Sequence, residues 1–458
     1  MNLDSIIVDF HTDVAKLENE GRGGEALWCG QRFAAQGLMT YGLSLCSQTQ
    51  EYEKAIEVFK FINKIDPGNW LAASNLTHAY SQLFDYEHAQ EAANQAIKFS
   101  HGENYDVFYN AGVVLTNLGK IADAEIMYRN AVKLNPTKEG ILFNLGLNLL
   151  RQGKFEEGWN LYEYRFKVNT LTGNFKKRFL ADEWDGRPYK KKSLLVYSEQ
   201  GLGDFVMFSR FLQKTKKLGG KLIVEVQEPL YNIVKNNFDF VDEVIIRENS
   251  TNWPKPPLTD YAISVCSLPR IHKIYDVEQI QSKTYFKTES KFKLNKNKKI
   301  KIGLCWCGNP DHTRDTTRSA HIQDFKQLFD QKNVEIYSLV KGVKGIRNWT
   351  KGKIDLNEGK DSFPLIDLES KFNNFEELAS IINSLDLVIT VDTGLAHLCG
   401  AMGKPVWIMI GKETDWRWSD IVNTTPWYSS ATLFRYKTSW VDLVDEVVKA
   451  LLTNQKAK

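Results

Sequence analysis

The sequence predicts two architectures in tandem: an α-helical repeat solenoid, followed by an α/β region of two lobes, each built on a parallel sheet. Three observations predict it. Small and large apolar residues recur with a period of about 34–35 residues through the first third of the chain. Strand-length apolar runs then alternate with helix-like segments. A polar, lysine-rich stretch, KFKLNKNKK, divides those runs into two series.

At 458 residues the chain is long enough for two or three domains. Its 43% apolar and 25% charged residues are an ordinary globular balance. A net charge of +3 is too small for a nucleic-acid binder, so no such partner is expected. No apolar run is long enough to span a bilayer. The opening residues, MNLDSIIVDFHTDVAKLENE, carry acids and lack a basic stretch before an apolar core, so they do not read as a signal peptide. Cys29, Cys46, Cys266, Cys305, Cys307 and Cys399 form no C-x-x-C pair and no zinc spacing. They read as reduced thiols, and a cytoplasmic location is expected.

The repeats come first. Pro67 and Pro136 each close a helix-like stretch, KAIEVFKFINKIDP and DAEIMYRNAVKLNP. Aligned on these prolines, units begin near Gln36, Trp70, Tyr105 and Glu139. The second unit carries Leu76, Tyr80, Ala89 and Ala96. The third has Phe108, Gly112, Ala124, Tyr128 and Ala131, and the fourth Leu142, Leu145, Gly146, Gly158 and Tyr162. Small residues let two antiparallel helices approach; larger ones fill the space between hairpins. Over Gln36–Phe166 the pattern resembles the tetratricopeptide repeat, with Gly42 of the first unit displaced by one position. A single hairpin cannot bury its own apolar face, so the units must stack, and the curved groove that results suits a protein or peptide. A spacer or a dimerisation surface is the alternative. The helical domain is expected over residues 1–170.

After KKRFLADEWDGRPYK the pattern changes to strands. The first series is SLLVYSE (193–199), KLIVEV (221–226), VDEVII (241–246) and YAISV (261–265). The second is KIGLCW (301–306), VEIYSLV (334–340), DLVITV (386–391) and PVWIMI (405–410). Helix-like segments at about 322–330, 374–384 and 394–402 separate the later strands. The expected lobes are 171–295 and 296–458. In open parallel sheets ligands bind at the carboxyl ends of the strands, and three motifs sit there.

The first is Gln200-Gly201-Leu202-Gly203-Asp204, between a strand and a helix. Gly201 and Gly203 permit a tight turn. Asp204 is placed either to take a proton from a bound hydroxyl or to cap the helix. The second is Trp306-Cys307-Gly308-Asn309-Pro310, leading into the polar loop 311–319. There Arg314 or Arg318 could fork onto phosphate oxygens, or an arginine–aspartate pair could brace the loop. The third starts at Asp392-Thr393-Gly394. The Thr393 hydroxyl, the free N–H groups and the helix dipole make a site for a diphosphate. His397, one turn in, contacts ligand or packs. Further on, Trp416 of the run Asp415–Trp418 either lines a sugar pocket or helps pin the C-terminal helix.

Taken together, these stretches resemble glycosyltransferase family 9 (heptosyltransferase-like), in its subgroup fused to tetratricopeptide repeats. The matching residues are EQGLGD (199–204), GLCWCGNP (303–310), DTTRS (315–319), SLVKG (338–342), VDTGLAHLCGAMGKPVW (391–407) and DWRW (415–418). Cys307 and the pair Ala320-His321 depart from the usual pattern. The resemblance implies a GT-B fold of two Rossmann-like lobes, acceptor on the first and donor on the second. It implies Asp204 as general base and Asp392, Thr393, Gly394 and His397 as donor-holding residues. Asn309 and Arg318 match polar positions of the family's loop, and Ser338 and Lys341 fall where the donor base or phosphate is read. The implied reaction moves a sugar from a nucleotide-sugar donor to an acceptor: a protein such as flagellin or another surface protein held by the repeats, or else a lipopolysaccharide or other glycan. A non-catalytic scaffold is the rival. No Asp-x-Asp occurs, so no metal cofactor is expected, and an inverting transfer is anticipated in which helix dipoles and basic side chains neutralise the leaving group.

Overall fold

The computed structural model describes residues 16, 19–168, 173, 176, 178–247, 256–280, 283–294, 297–312, 315–341, 364–418 and 423–456. The chain divides into two compact units, Met1–Asn148 and Leu149–Lys458. No described helix is long and apolar enough to cross a membrane.

The first unit is a run of helices: α1 (Gly23–Ser44), α2 (Tyr52–Ile65), α3 (Trp70–Gln82), α4 (Tyr86–Phe99), α5 (Tyr105–Asn117), α6 (Ile121–Leu134) and α7 (Glu139–Arg151), the last continuing past the unit's end. Trp70, Tyr105 and Glu139 each start a helix, as the register requires; Gln36 instead lies within α1. Side chains of Asn69, Asp85 and Asn104 accept hydrogen bonds from N–H groups in the first turns of α3, α4 and α5. Glycine is demanded where a ring lies flat on a neighbouring helix. A Cβ on Gly112 would come within 2.6 Å of the Tyr128 ring, and one on Gly42 within 2.5 Å of Phe59. Gly42 therefore does the same job as Gly112 in spite of its displaced register. The cause is a π-helical turn at Leu45–Thr49, which inserts a residue between Gly42 and Phe59. Successive units are tied by asparagines: the Asn75 amide donates to Met39 Sδ (3.2 Å), Asn110 to Ser74 Oγ (3.1 Å) and Asn144 to Tyr109 Oη (2.8 Å).

The second unit opens with the end of α7, then α8 (Phe155–Tyr162) and α9 (Arg165–Val168). The first sheet contains β1 (Asp182–Glu183), β2 (Ser193–Tyr197), β3 (Lys221–Gln227), β4 (Glu243–Arg247) and β5 (Tyr261–Ser264), in the order β1-β5-β2-β3-β4. Between them run α10 (Leu202–Phe208), α11 (Leu212–Lys216) and α12 (Tyr231–Asn237), with α13 (Leu268–Ile271) after β5. The second sheet contains β6 (Ile300–Cys305), β7 (Val334–Ser338), β8 (Leu365–Asp367), β9 (Leu387–Val391), β10 (Val406–Ile410) and β11 (Ala431–Arg435), in the order β11-β10-β9-β6-β7-β8. Its helices are α14 (Asp315–Arg318), α15 (Lys326–Phe329), α16 (Phe375–Asn383), α17 (Gly394–Ala401) and α18 (Trp440–Lys456). Among the described residues every pairing of these strands is parallel. Covered on both faces, the central strands are continuous apolar runs, and β9 and β10 are buried throughout. In each sheet the chain steps outward in one direction and then returns to the far side of its first long strand. The reversals put the crevices at the carboxyl ends of β2 and β5, and of β6 and β9.

Helices α8 and α9 fall in the fourth repeat by register, and the expected helical domain ran to residue 170. The structure places them in the second unit, because their large side chains are buried there. Trp159, 1% exposed, donates its indole N–H to the Ile274 carbonyl (2.8 Å) and meets Phe208, Trp416 and Trp427 edge-on. Arg165 is buried between carboxylates, pairing with Glu163 (2.6 Å) and Glu199 (2.7 Å) and donating to Ser267 Oγ (2.7 Å). Burial pushes the Glu199 carboxyl up, and Arg165 pulls against that shift. Removing the guanidinium would strand the buried Glu199 carboxylate, while the partly exposed Glu163 would keep Arg270 at 3.5 Å. Arg165→Met is therefore expected to destabilise this unit by about 3–5 kcal/mol, read from urea unfolding.

Candidate active site

The site is built where the two sheets present their switch points. After β2 the chain turns through Gln200 and Gly201 into α10. The Gly201 N–H donates to Asp204 Oδ2 at 2.9 Å, so the carboxylate closes the first turn of α10 from its third position. The other oxygen, Oδ1, accepts from the guanidinium of Arg417, which follows β10 in the second sheet's half of the unit. Gln200 is itself held, its amide donating to Tyr162 Oη (3.0 Å) and its carbonyl accepting from Gln227 (2.7 Å).

After β9 the chain passes through Asp392 and Thr393 into α17, and this helix start meets the start of α10. A Cβ on Gly203 would lie 3.1 Å from the Cα of Gly394 and 2.6 Å from His397 Cδ2, and Gly394 in turn sits against the Gly203 backbone. Glycine is required at 203 by this close approach, not by a special backbone angle, whereas a Cβ on Gly394 would make ordinary contacts of 3.4–3.8 Å with Phe375 and Gly203. Thr393 is the residue before α17; its hydroxyl lies 3.1 Å from that of Thr390 and does not cap the helix. His397 is buried, with Nδ1 2.9 Å from Tyr428 Oη and its ring stacked on Trp418 at 5.3 Å. Burial, then the Arg417 charge, pull its pKa down to about 3, so it is a neutral imidazole at neutral pH. In this arrangement His397 packs. Tyr428 in turn covers Gly400, where a Cβ would fall 2.2 Å from its ring.

Burial, and after it the Asp415 carboxylate, push Asp392 up to about 6. The Asp392 carbonyl accepts from Arg318 at 3.1 Å. Arg318 also pairs with Asp315 (3.3 Å) and lies over Gly308, where a Cβ would come within 2.5 Å of Nη2. Ser319 Oγ accepts from the Gly308 N–H and donates to Asp315, both at 2.9 Å. The arginine–aspartate pair thus braces its own loop and fastens it to the end of β9. Arg314 lies outside the described residues.

Other expected residues make their hydrogen bonds elsewhere. Asn309 is exposed and accepts from the Asp311 N–H (3.2 Å). Ser338 is buried at the end of β7 and accepts from the Val340 N–H (3.4 Å). The Lys341 ammonium is held by the segment 369–373, through the carbonyls of Glu369 (3.0 Å) and Phe372 (2.7 Å) and Oδ1 of Asn373 (3.2 Å). Trp416, 7% exposed, sits among Trp159, Tyr162, Phe208 and Trp427. That is a packing position, and what it pins is α8 and α10. The structure therefore gathers Gly203, Asp204, Gly394, His397 and, through Arg417 and Arg318, the Asp392 region. It adds Arg417, Asp415 and Tyr162, which sequence reasoning did not select. A signal existed: charged residues flanked by two tryptophans in Asp415–Trp418 must be paired if they are buried.

Comparison with known proteins follows the same division. A model of glycosyltransferase family 9 (heptosyltransferase) matches residues 360–442, and a tetratricopeptide-repeat model matches residues 105–138, the span of the third unit. Protein FlbA of Caulobacter vibrioides is 22% identical, covering 83% of this chain and 72% of its own length. Protein bimA of Emericella nidulans is 29% identical over 91 residues, 20% of this chain and 11% of its own. Among solved structures, the second tetratricopeptide domain of human RPAP3, in complex with an HSP70 peptide, is 25% identical and covers 26% of this chain and 97% of its own, with a TM-score of 0.25.

His397 gives the site a pH signature. Its folded pKa near 3 lies below the 6.5 of an unfolded histidine, so the unfolded chain binds the extra proton between those values. Its contribution to stability is present above pH 6.5 and is lost as the pH falls, at about 1.4 kcal/mol per pH unit within the window. Denaturant titrations across that range should show a shallower acid loss for His397→Phe than for the wild type.

Proposed function

We propose that this chain, which carries a tetratricopeptide repeat and a glycosyltransferase family 9 domain, is a GT-B glycosyltransferase. It moves a sugar from a nucleotide-sugar donor to a hydroxyl of a protein acceptor held by the repeats. The observation that carries this reading is the meeting of the α10 and α17 starts, which sets the Asp204 carboxylate beside the start of the donor-holding helix.

In the proposed reaction the free N–H groups at Thr393–Gly394 bind the donor diphosphate, with the α17 dipole and the nearby Arg318 supplying positive potential. Ser338, Lys341 and Asn309 serve the nucleotide end of the donor. The acceptor hydroxyl oxygen bonds to the anomeric carbon from the face opposite the diphosphate, and its proton passes to Asp204. The bond from the anomeric carbon to the diphosphate oxygen breaks, and its electron pair leaves with the nucleoside diphosphate. The configuration is inverted, and in this reading helix dipole and guanidinium charge do the work of a metal. A cytoplasmic location accords with Cys46, Cys266, Cys305, Cys307 and Cys399, which stand outside any disulfide.

Two measurements test the reading. A panel of UDP, GDP, ADP, CMP and TDP nucleotides and their sugars should include one that raises the melting temperature of the wild type and leaves Thr393→Trp unmoved. No shift with any member favours the non-catalytic scaffold. Asp204→Asn should lose about 10²–10⁴-fold in turnover while keeping the nucleotide-induced shift. Full turnover in that variant removes Asp204 as the base.

A further inference from the structure

Arg417 follows β10, and its side chain is nine-tenths buried at 10% exposure. One terminal nitrogen pairs with Asp415 at 2.7 Å and the other with Asp204. Its guanidinium lies 4.4 Å from the centroid of the Trp416 ring. The third nitrogen, Nε, is buried and has no hydrogen-bond partner among the described residues. The fork thus spans carboxylates from two different sheets. One belongs to the β2–α10 turn and the other to the segment after β10.

Stability alone does not call for this arrangement. A buried ion pair is weak as a stabiliser compared with well-packed apolar groups of the same size. Trp416, beside the guanidinium and itself packed against Phe208 and Trp427, shows that such packing was available here. An unpartnered charged N–H inside this aromatic setting adds a further desolvation cost. Geometry and cost together point to a task at the site.

We infer that Arg417 is the positioning residue of the transfer: its fork sets the Asp204 carboxylate in the orientation that receives the acceptor proton, and its charge is freed towards the leaving diphosphate as that carboxylate is neutralised. This rests on the transferase reading above. Before the reaction the guanidinium is shared between two anionic carboxylates. When the acceptor proton reaches Asp204, one of those anions becomes neutral, and the ion pair weakens to an ordinary hydrogen bond. The same step places negative charge on the departing nucleoside diphosphate. Arg417 then loses one of its two paired anions, and its charge attracts the negative charge developing on the leaving group. In a site of low dielectric such an exchange is worth far more than in water. An arginine suits the site because its planar fork holds two carboxylates in fixed directions, whereas a lysine ammonium is a point charge that fixes neither.

The test uses the full chain and water in place of the acceptor. Release of nucleoside diphosphate is followed from UDP-, GDP- and ADP-glucose for the wild type, Arg417→Lys, Arg417→Ala and Asp204→Asn, with melting temperatures recorded alongside. Arg417→Lys should lower kcat and kcat/KM together by about a hundredfold, the pattern of an interaction made in the transition state. Arg417→Ala should regain part of its rate in millimolar guanidinium chloride, and Asp204→Asn should not. If the alanine variant does not fold, the lysine variant, which keeps length and charge, decides alone. A lysine variant with the wild-type kcat overturns the inference, as does a folded alanine variant that guanidinium fails to rescue. A wild type that releases nothing from any of the three donors and is stabilised by no nucleotide of the UDP, GDP, ADP, CMP and TDP panel removes the transferase reading and this inference with it. An active wild type with an equally active lysine variant removes the role of Arg417 only.

Discussion

The contact between Gly203 and Gly394 is the constraint on which the rest of the candidate site depends. Two helix starts, each opening at the carboxyl end of a central strand, touch with no side chain between them. Both starts bring unsatisfied N–H groups and the positive ends of their dipoles, a combination that repels unless anions answer it. Asp204 and the carboxylates of Asp392 and Asp415 gather around it, and Arg417 in turn balances those acids. The site's charge pattern is thus a sequence of responses to one backbone approach. A side chain at Gly203 would have to force apart elements that the aromatic cluster around Trp159 and Trp416 holds together.

Much of this was legible in the sequence for physical reasons. Repeats declare themselves because a helix crossing tolerates only small residues, so Gly112, Ala124 and Ala131 recur at a fixed distance from Pro136. Even the misplaced Gly42 carried information: a one-residue displacement is what a π-helical turn inserts. The long parallel strands were legible as continuous apolar runs. The short edge strands β1, β8 and β11 were not, since two to five residues at a sheet margin lack a distinguishing period.

Within the site, the turns at the strand ends were legible but the partnerships were not. Asp204 and Arg417 are 213 residues apart, and nothing local joins them. His397 and Trp416 illustrate the same limit from the other side. Their residue types suit ligand contact, yet Tyr428 and Trp418 enclose one, and Trp159 and Phe208 enclose the other. Motif position told which residues stand near the crevice; tertiary packing decided which way each of them is used.

The division of the chain within α7 bears on how such a protein can be inherited. Repeat arrays are commonly regarded as interchangeable cassettes, gained and lost in whole units. Here the second helix of the final hairpin has been captured: Trp159, Tyr162 and Arg165 complete the interior of the α/β part. A recombination junction placed after the fourth repeat would carry off the centre of that interior along with the array. A lineage that exchanges arrays without losing the α/β part must therefore recombine upstream of residue 149, so that α8 and α9 descend with the sheets and not with the other repeats.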